Sequence, residues 1–159
     1  MNEIKIIKAT RKEISDIVFL NSFVQKIHAE RYPDVFKSLG NHEEVTRFFE
    51  FILSEEKNCV LLAYDKNIPV GYLWVAFERK PENPFEFGQI QAYIHQISVH
   101  DQYRRQGIGH ALFRKLERLA KEKGINQFAL DTWTFNNNAK RFFQKLGFVT
   151  YNLNMWRKV

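Results

Sequence analysis

The sequence predicts an α/β (α+β) fold with element order βααβββαβαβ, and three observations carry that reading. A stretch of period two, ending at Val99, passes through a glycine-containing loop into a run of helical period that starts at Ile108. Two capped helical segments follow one opening strand before any sheet continues. Two more strand patterns flank a short helix opened by Asn136. The 159 residues and 45% hydrophobic content predict one packed domain spanning 1–159.

Ile4 to Lys8 reads as the first strand. Thr10 with Glu13 is a capping-box signature, and Ile14, Ile17, Val18, Val24 and Ile27 then share a helical stripe as far as Arg31, before Pro33. Gly40 breaks the chain. Asn41 with Glu44 opens a second helix, whose inner side carries Val45, Phe48, Phe49, Ile52 and Leu53. Asn58 to Tyr64 and Pro69 to Glu78 form a hairpin about a turn at Asp65, Lys66 and Asn67. A loop from Lys80 leads to a strand from Gln89 to Val99, where Ile94, Gln96 and Ser98 alternate with His95, Ile97 and Val99. The next helix stops at Gly124 in the C′ position. Phe128 to Trp133 is a strand. Asn136 caps a helix with Ala139, Phe142, Phe143 and Leu146 inward, Gly147 ends it, and Phe148 to Trp156 supplies the last strand.

Composition narrows the function classes. No apolar run reaches the length of a membrane span, and the start Met1-Asn2-Glu3 shows no signal-peptide core, so a cytoplasmic protein is expected. Cys59 is the sole cysteine and cannot form an internal disulfide. Without a surrounding motif it reads as a small buried hydrophobe. The net charge of +6 suits an anionic partner. Two partners compete for that charge, a nucleic acid and a polyanionic cofactor; the basic residues are interleaved with Glu117 and Glu122 and form no dense stripe, which disfavours the nucleic acid, but charge alone does not choose between them.

The loop Arg104-Arg105-Gln106-Gly107-Ile108-Gly109 has the chemistry of an anion cradle. Glycine reaches backbone conformations closed to other residues, and the first-turn N–H groups of the following helix point at whatever lies before it. The loop lacks the Lys-Ser/Thr ending of a P-loop and the third glycine of a dinucleotide fingerprint. Arg-x-x-Gly-x-Gly after a strand ending in Val99 instead resembles the pyrophosphate motif of the GNAT superfamily of N-acetyltransferases. Asn136-Asn137-Asn138-Ala139 followed by Phe142-Phe143 and Gly147-Phe148 resembles the second GNAT signature, Asn-x-x-Ala-x-x-aromatic/Leu-Tyr-x-x-x-Gly-Phe. Together the two motifs cover Ile94 to Phe148; before that, the likeness is of element order alone.

The resemblance implies a mixed, mostly antiparallel sheet with helices on both faces, and transfer of an acetyl group from acetyl-CoA to an amine without an acyl-enzyme and without a metal. It implies pantetheine along Ile97, Ser98 and Val99. It implies pyrophosphate on the amides of Arg105, Gln106, Gly107, Ile108, Gly109 and His110, with Arg104 and Arg105 as cations and Asn136 beside the cofactor. His95 is the first candidate for the base that deprotonates the acceptor, because an ordinary imidazole titrates near neutral pH. Asp131 is the second, and Tyr93, on the same side as His95, lines the pocket or relays a proton. Phe143 stands where the family commonly has the tyrosine that protonates the departing thiolate. That departure leaves the general acid to Tyr103, Tyr151 or water, and motivates the alternative of a weakly catalytic acyl-CoA-binding module. His28 to Phe36 and the loop bearing Phe85 and Phe87 are candidates for the acceptor wall; the two loop aromatics also fit a homodimer contact.

Overall fold

The computed structural model describes residues 4–38 and 41–159. Gly40 and the start Met1 to Glu3 lie outside the described residues. The chain forms β1 (Ile4–Lys8), α1 (Ile14–Arg31), α2 (His42–Ser54), β2 (Asn58–Asp65), β3 (Ile68–Lys80), β4 (Gln89–Val99), α3 (Ile108–Glu122), β5 (Phe128–Leu130) and α4 (Asn137–Lys145). The predicted caps are in place. Thr10 and Glu13 close a capping box ahead of α1, Asn41 accepts the Glu44 amide hydrogen at 3.2 Å, and Asn136 accepts that of Ala139 at 3.1 Å. Each such cap offsets an orphaned helix amide and is worth about 1 kcal/mol.

The sheet order is β1-β2-β3-β4-β5. Its first three pairings are antiparallel, while β4 and β5 run parallel. One apolar layer joins the sheet to α3 and α4 through Leu61, Leu73, Ile94, Leu112, Leu116 and Phe143. The other joins the opposite face to α1 and α2 through Ile17, Leu20, Phe49, Leu62, Tyr72 and Trp74. A mixed sheet with helices on both faces is thus present, as the sequence predicts.

Three local expectations need correction. The last strand, placed at Phe148 to Trp156, does not form: beyond Phe148 the chain is exposed and no strand accompanies it. Alternating side chains make a strand only when they pair with a neighbouring backbone, and among the described residues nothing pairs beyond β5. β5 ends at Leu130, so Asp131, Thr132 and Trp133 are loop. The simple alternation along β4 also fails. Trp74 pairs with Gln96 and Val75 with Ile94, leaving His95 as an extra residue in a β-bulge. The bulge resets the period, so that Ala92, Ile94, Ile97 and Val99 all turn to the α3 layer.

Candidate functional site

The loop before α3 is bent in two places that the sequence marks. Arg105 has φ of 63° and Gly107 has φ of 82°, both left-handed, and Gly107 is the N-cap of α3 with no side chain closing it. Ala111 is the first residue to bond back, its N–H donating to the Gly107 carbonyl at 2.9 Å. The amides of Ile108, Gly109 and His110 therefore have no intrahelical acceptor. No acidic side chain stands in that turn, so the positive end of the helix dipole is uncompensated. Arg104 is partly committed, its guanidinium 2.6 Å from the Asp101 carboxylate and its Nε donating to the Val99 carbonyl at 3.4 Å. Arg105 is exposed beside the loop. Gly109 answers a second demand: an added Cβ would lie 3.1 Å from the Phe142 ring of α4.

The strand leading into this loop is open along one edge. β5 pairs with β4 only at Ala92, Tyr93 and Ile94, whereas β4 stays bonded to β3 as far as Val99 opposite Gly71. Among the described residues no strand covers the outer edge of Ile97, Ser98 and Val99. β4 and β5 therefore part beyond Ile94, leaving a wedge at the β4 edge that leads to the loop before α3. Backbone polar groups left unpaired in such a wedge demand water or a ligand. The Ile97 and Val99 side chains pack on the α3 layer, so what they offer the wedge is main chain.

His95, Tyr93 and Asp131 are brought together on the α1 side. The His95 imidazole stacks on Trp74 with centroids 4.3 Å apart and lies 5.0 Å from the Tyr93 ring. The Tyr93 hydroxyl donates to the Asp131 carboxylate. Desolvation against the sheet pushes the His95 pKa below its ordinary value; Glu78 opposes that shift and Lys57 adds to it. Desolvation, followed by the hydrogen bond to Asp131, raises the Tyr93 pKa and keeps the phenol protonated. The cluster thus holds a neutral imidazole beside a fixed phenol–carboxylate pair. Phe143 is 7% exposed, packed against Phe142 and Phe148 in the α3 layer, with no hydroxyl to offer.

Sequence reasoning missed a polar network under α1. Buried Asn21 donates through Nδ2 to the Tyr72 hydroxyl at 3.1 Å and to Gln96 Oε1 at 3.0 Å, and Tyr72 donates to the same Gln96 oxygen at 2.5 Å. Asn21 and Gln96 of this network line a cavity of about 380 Å³ between α1 and α2, together with Val18, Phe48 and Phe49. The one usable signal was Asn21 itself, a polar residue on the inward stripe of α1. It also missed the ring cluster in which Tyr32 and Phe36 each stand 5.0 Å from Trp133, tying the end of α1 to the loop after β5.

The unpaired edge of β4 thus leads to uncapped amides at the start of α3, a helix end whose chemistry suits an anionic group. Residues 22–148 match the model of the Acetyltransferase (GNAT) family. The chain belongs to that family. Among curated proteins, the uncharacterized N-acetyltransferase YycN of Bacillus subtilis is 28% identical over 90 residues, covering 57% of this chain and 54% of that protein. The thialysine N-epsilon-acetyltransferase of Sus scrofa is 36% identical over 55 residues, 35% of this chain and 32% of that protein. The chain spans about half the length of the first curated relatives it matches. In fold it is similar to a tetramutant of the BH1408 protein from Bacillus halodurans, with a TM-score of 0.89 at 24% identity over 98% of this chain and 99% of that one. It is also similar to the aminoglycoside acetyltransferase AAC(6')-Iy in complex with a CoA bisubstrate analog, with a TM-score of 0.78 at 16% identity over 99% of both chains.

Proposed function

We propose that the protein is an acetyl-CoA-dependent N-acetyltransferase that moves an acetyl group to a primary amine by direct attack. The observation that carries this reading is the wedge between β4 and β5, lined by main chain from Ile97 to Val99 and ending at the free amides of Ile108, Gly109 and His110. Pantetheine lies along that edge and the pyrophosphate rests on the α3 amides, with Arg105 beside them. Asn136 keeps its side-chain Nδ2 for the cofactor while its Oδ1 caps α4. Acetyl-CoA supplies the activated acyl group.

His95 takes the proton from the acceptor ammonium, which makes the nitrogen lone pair available. The C–N bond then forms as the C–S bond breaks, and the thiolate gains its proton from water or a nearby hydroxyl, because Phe143 has none. Tyr93, held by Asp131, fixes the wall beside the imidazole. Holding the two reactants in one cleft supplies much of the rate by removing the entropy cost of their encounter. No metal enters this scheme. Among the described residues no helix is long and apolar enough to cross a membrane.

Calorimetry with CoA together with steady-state thiol release from acetyl-CoA over a panel of small and peptide amines tests the proposal. Saturable cofactor binding and turnover on at least one amine are expected. Binding with no turnover on any acceptor favours the second reading, a weakly catalytic acyl-CoA-binding module, for which Phe143 is the specific motive. No binding at millimolar CoA sinks both.

A further inference from the structure

The cavity between α1 and α2 holds two hydrogen-bonding faces that the fold leaves unused. Asn21 is 6% exposed, and its Nδ2 donates to both Tyr72 and Gln96. Its Oδ1 accepts from no donor among the described residues. Gln96 Oε1 takes bonds from Asn21 and Tyr72, while its Nε2 donates to no acceptor among them. Both side chains line the one cavity, so a carbonyl oxygen and an NH2 group are left there to be completed. Such groups are costly to desolvate unless water or a ligand satisfies them.

The rest of the cavity restricts what that ligand can be. Val18, Val45, Phe48 and Phe49 make apolar walls, and Glu44 is the one carboxylate among the described lining residues. Glu44 faces Lys37 at 3.7 Å, so it offers no spare negative charge. A ligand ammonium entering here would lose water without gaining a counter-ion. The volume of about 380 Å³ lies at the small end of ligand pockets, which run from about 300 to 1,000 Å³, and so suits one small molecule.

The bulge in β4 ties this cavity to the proposed base. Ile94 and Ile97 both turn to the α3 layer, and the two residues between them turn the other way. His95 lies on Trp74, while Gln96 reaches Tyr72 and Asn21. Consecutive Cα atoms are about 3.8 Å apart, so a small molecule can span both side chains. Phe48, a wall of the cavity, stands 5.5 Å from the same Trp74 ring that carries the imidazole. We propose that Gln96 and Asn21 select the acceptor: a small monoamine with an apolar body and an uncharged carboxamide, the amine at His95, the amide carbonyl on Gln96 Nε2 and the amide N–H on Asn21 Oδ1. This specificity rests on the acetyl-transfer reading above, and by the same chemistry polyamines are poor acceptors.

L-Phenylalaninamide, phenethylamine and spermidine separate the features, since the second lacks the carboxamide and the third adds charge. With acetyl-CoA, kcat/KM for phenylalaninamide should exceed that for each of the others by about tenfold or more. Equal rates on phenethylamine, or a preference for spermidine, overturn the proposal and leave the transferase standing. Gln96→Glu keeps one oxygen for Tyr72 and Asn21 but puts a second oxygen where the NH2 group was. It should lower kcat/KM for phenylalaninamide by about tenfold and raise that for spermidine. An unchanged ratio in a variant that melts as the wild type does overturns the assignment, and the wild-type series decides whether or not the variant folds. Should no amine turn over, the transferase reading falls and calorimetry on the CoA-saturated protein decides the cavity. Tighter binding of phenylalaninamide than of phenethylamine upholds it; equal or absent binding removes it too.

Discussion

At the residue scale the proposed base is His95, which a β-bulge rather than the regular pleat aims. Stacking on Trp74 removes water from the ring and lowers its pKa below the usual 6.5. The form that accepts a proton is the neutral one, so it prevails throughout the neutral range and is lost only as pH falls through that lowered value. The expected profile of kcat/KM is therefore flat through pH 7, with an acid limb below 6.5. Lys57→Gln removes a charge that disfavours the imidazolium and should move the limb to higher pH; Glu78→Gln should move it lower. His95→Ala should cut kcat by about 10² while leaving CoA affinity in place. An acid limb that survives His95→Ala passes the base role to Asp131. Phe143→Tyr works in the other direction. Its hydroxyl enters an apolar cluster, where a missing hydrogen-bond partner costs about 1–3 kcal/mol, unless it reaches the sulfur of the cofactor. We expect kcat to rise roughly tenfold or more. A lowered melting temperature with kcat unchanged would show that thiolate protonation does not limit the rate.

At the scale of elements, the two glycines ahead of and within α3 act differently. Gly107 has open space around it but sits at φ of 82°, so Gly107→Ala costs conformational strain of about 1–2 kcal/mol and little else. Gly109 has Phe142 against it, so Gly109→Ala pushes α3 from α4 as well as crowding the phosphate end. Thermal melts should show Gly109→Ala partly rescued by Phe142→Leu and Gly107→Ala not rescued; equal rescue of both would refute the packing argument. Such features were legible where the signal was local. The caps at Thr10, Asn41 and Asn136 each join groups three residues apart, and a single-chain reading finds them. What escaped depended on distant partners. Asn21 is satisfied by residues 51 and 75 positions away, the bulge at His95 exists only in the register with β3, and the segment after Phe148 has the pattern of a strand but pairs with none among the described residues. His95, Tyr93 and Asp131 were named from sequence, whereas the Trp74 stack and the hydrogen bond between Tyr93 and Asp131 belong to the folded sheet.

At the scale of the whole molecule, the sheet separates two tasks. The α3 and α4 layer supports the proposed anion cradle, while the α1 and α2 side carries His95 and the polar cavity. The net charge of +6 favours approach of a polyanion from any direction, yet salt at physiological strength screens such attraction beyond about 8 Å. Only cations beside the cradle then discriminate. Of the two arginines, Arg104 already faces Asp101 at 2.6 Å, so a phosphate must compete with that carboxylate. Arg105 has no ion pair of its own among the described residues and is exposed next to the α3 amides. Arg105→Gln should therefore weaken CoA binding more than Arg104→Gln does, by a factor of roughly two to five as befits an exposed charge, and should flatten the dependence of affinity on salt. Calorimetric titrations of both variants across a salt series measure this. If Arg104→Gln proves the more damaging, Asp101 is positioning that side chain for the ligand instead of neutralising it, and the cradle has two working cations.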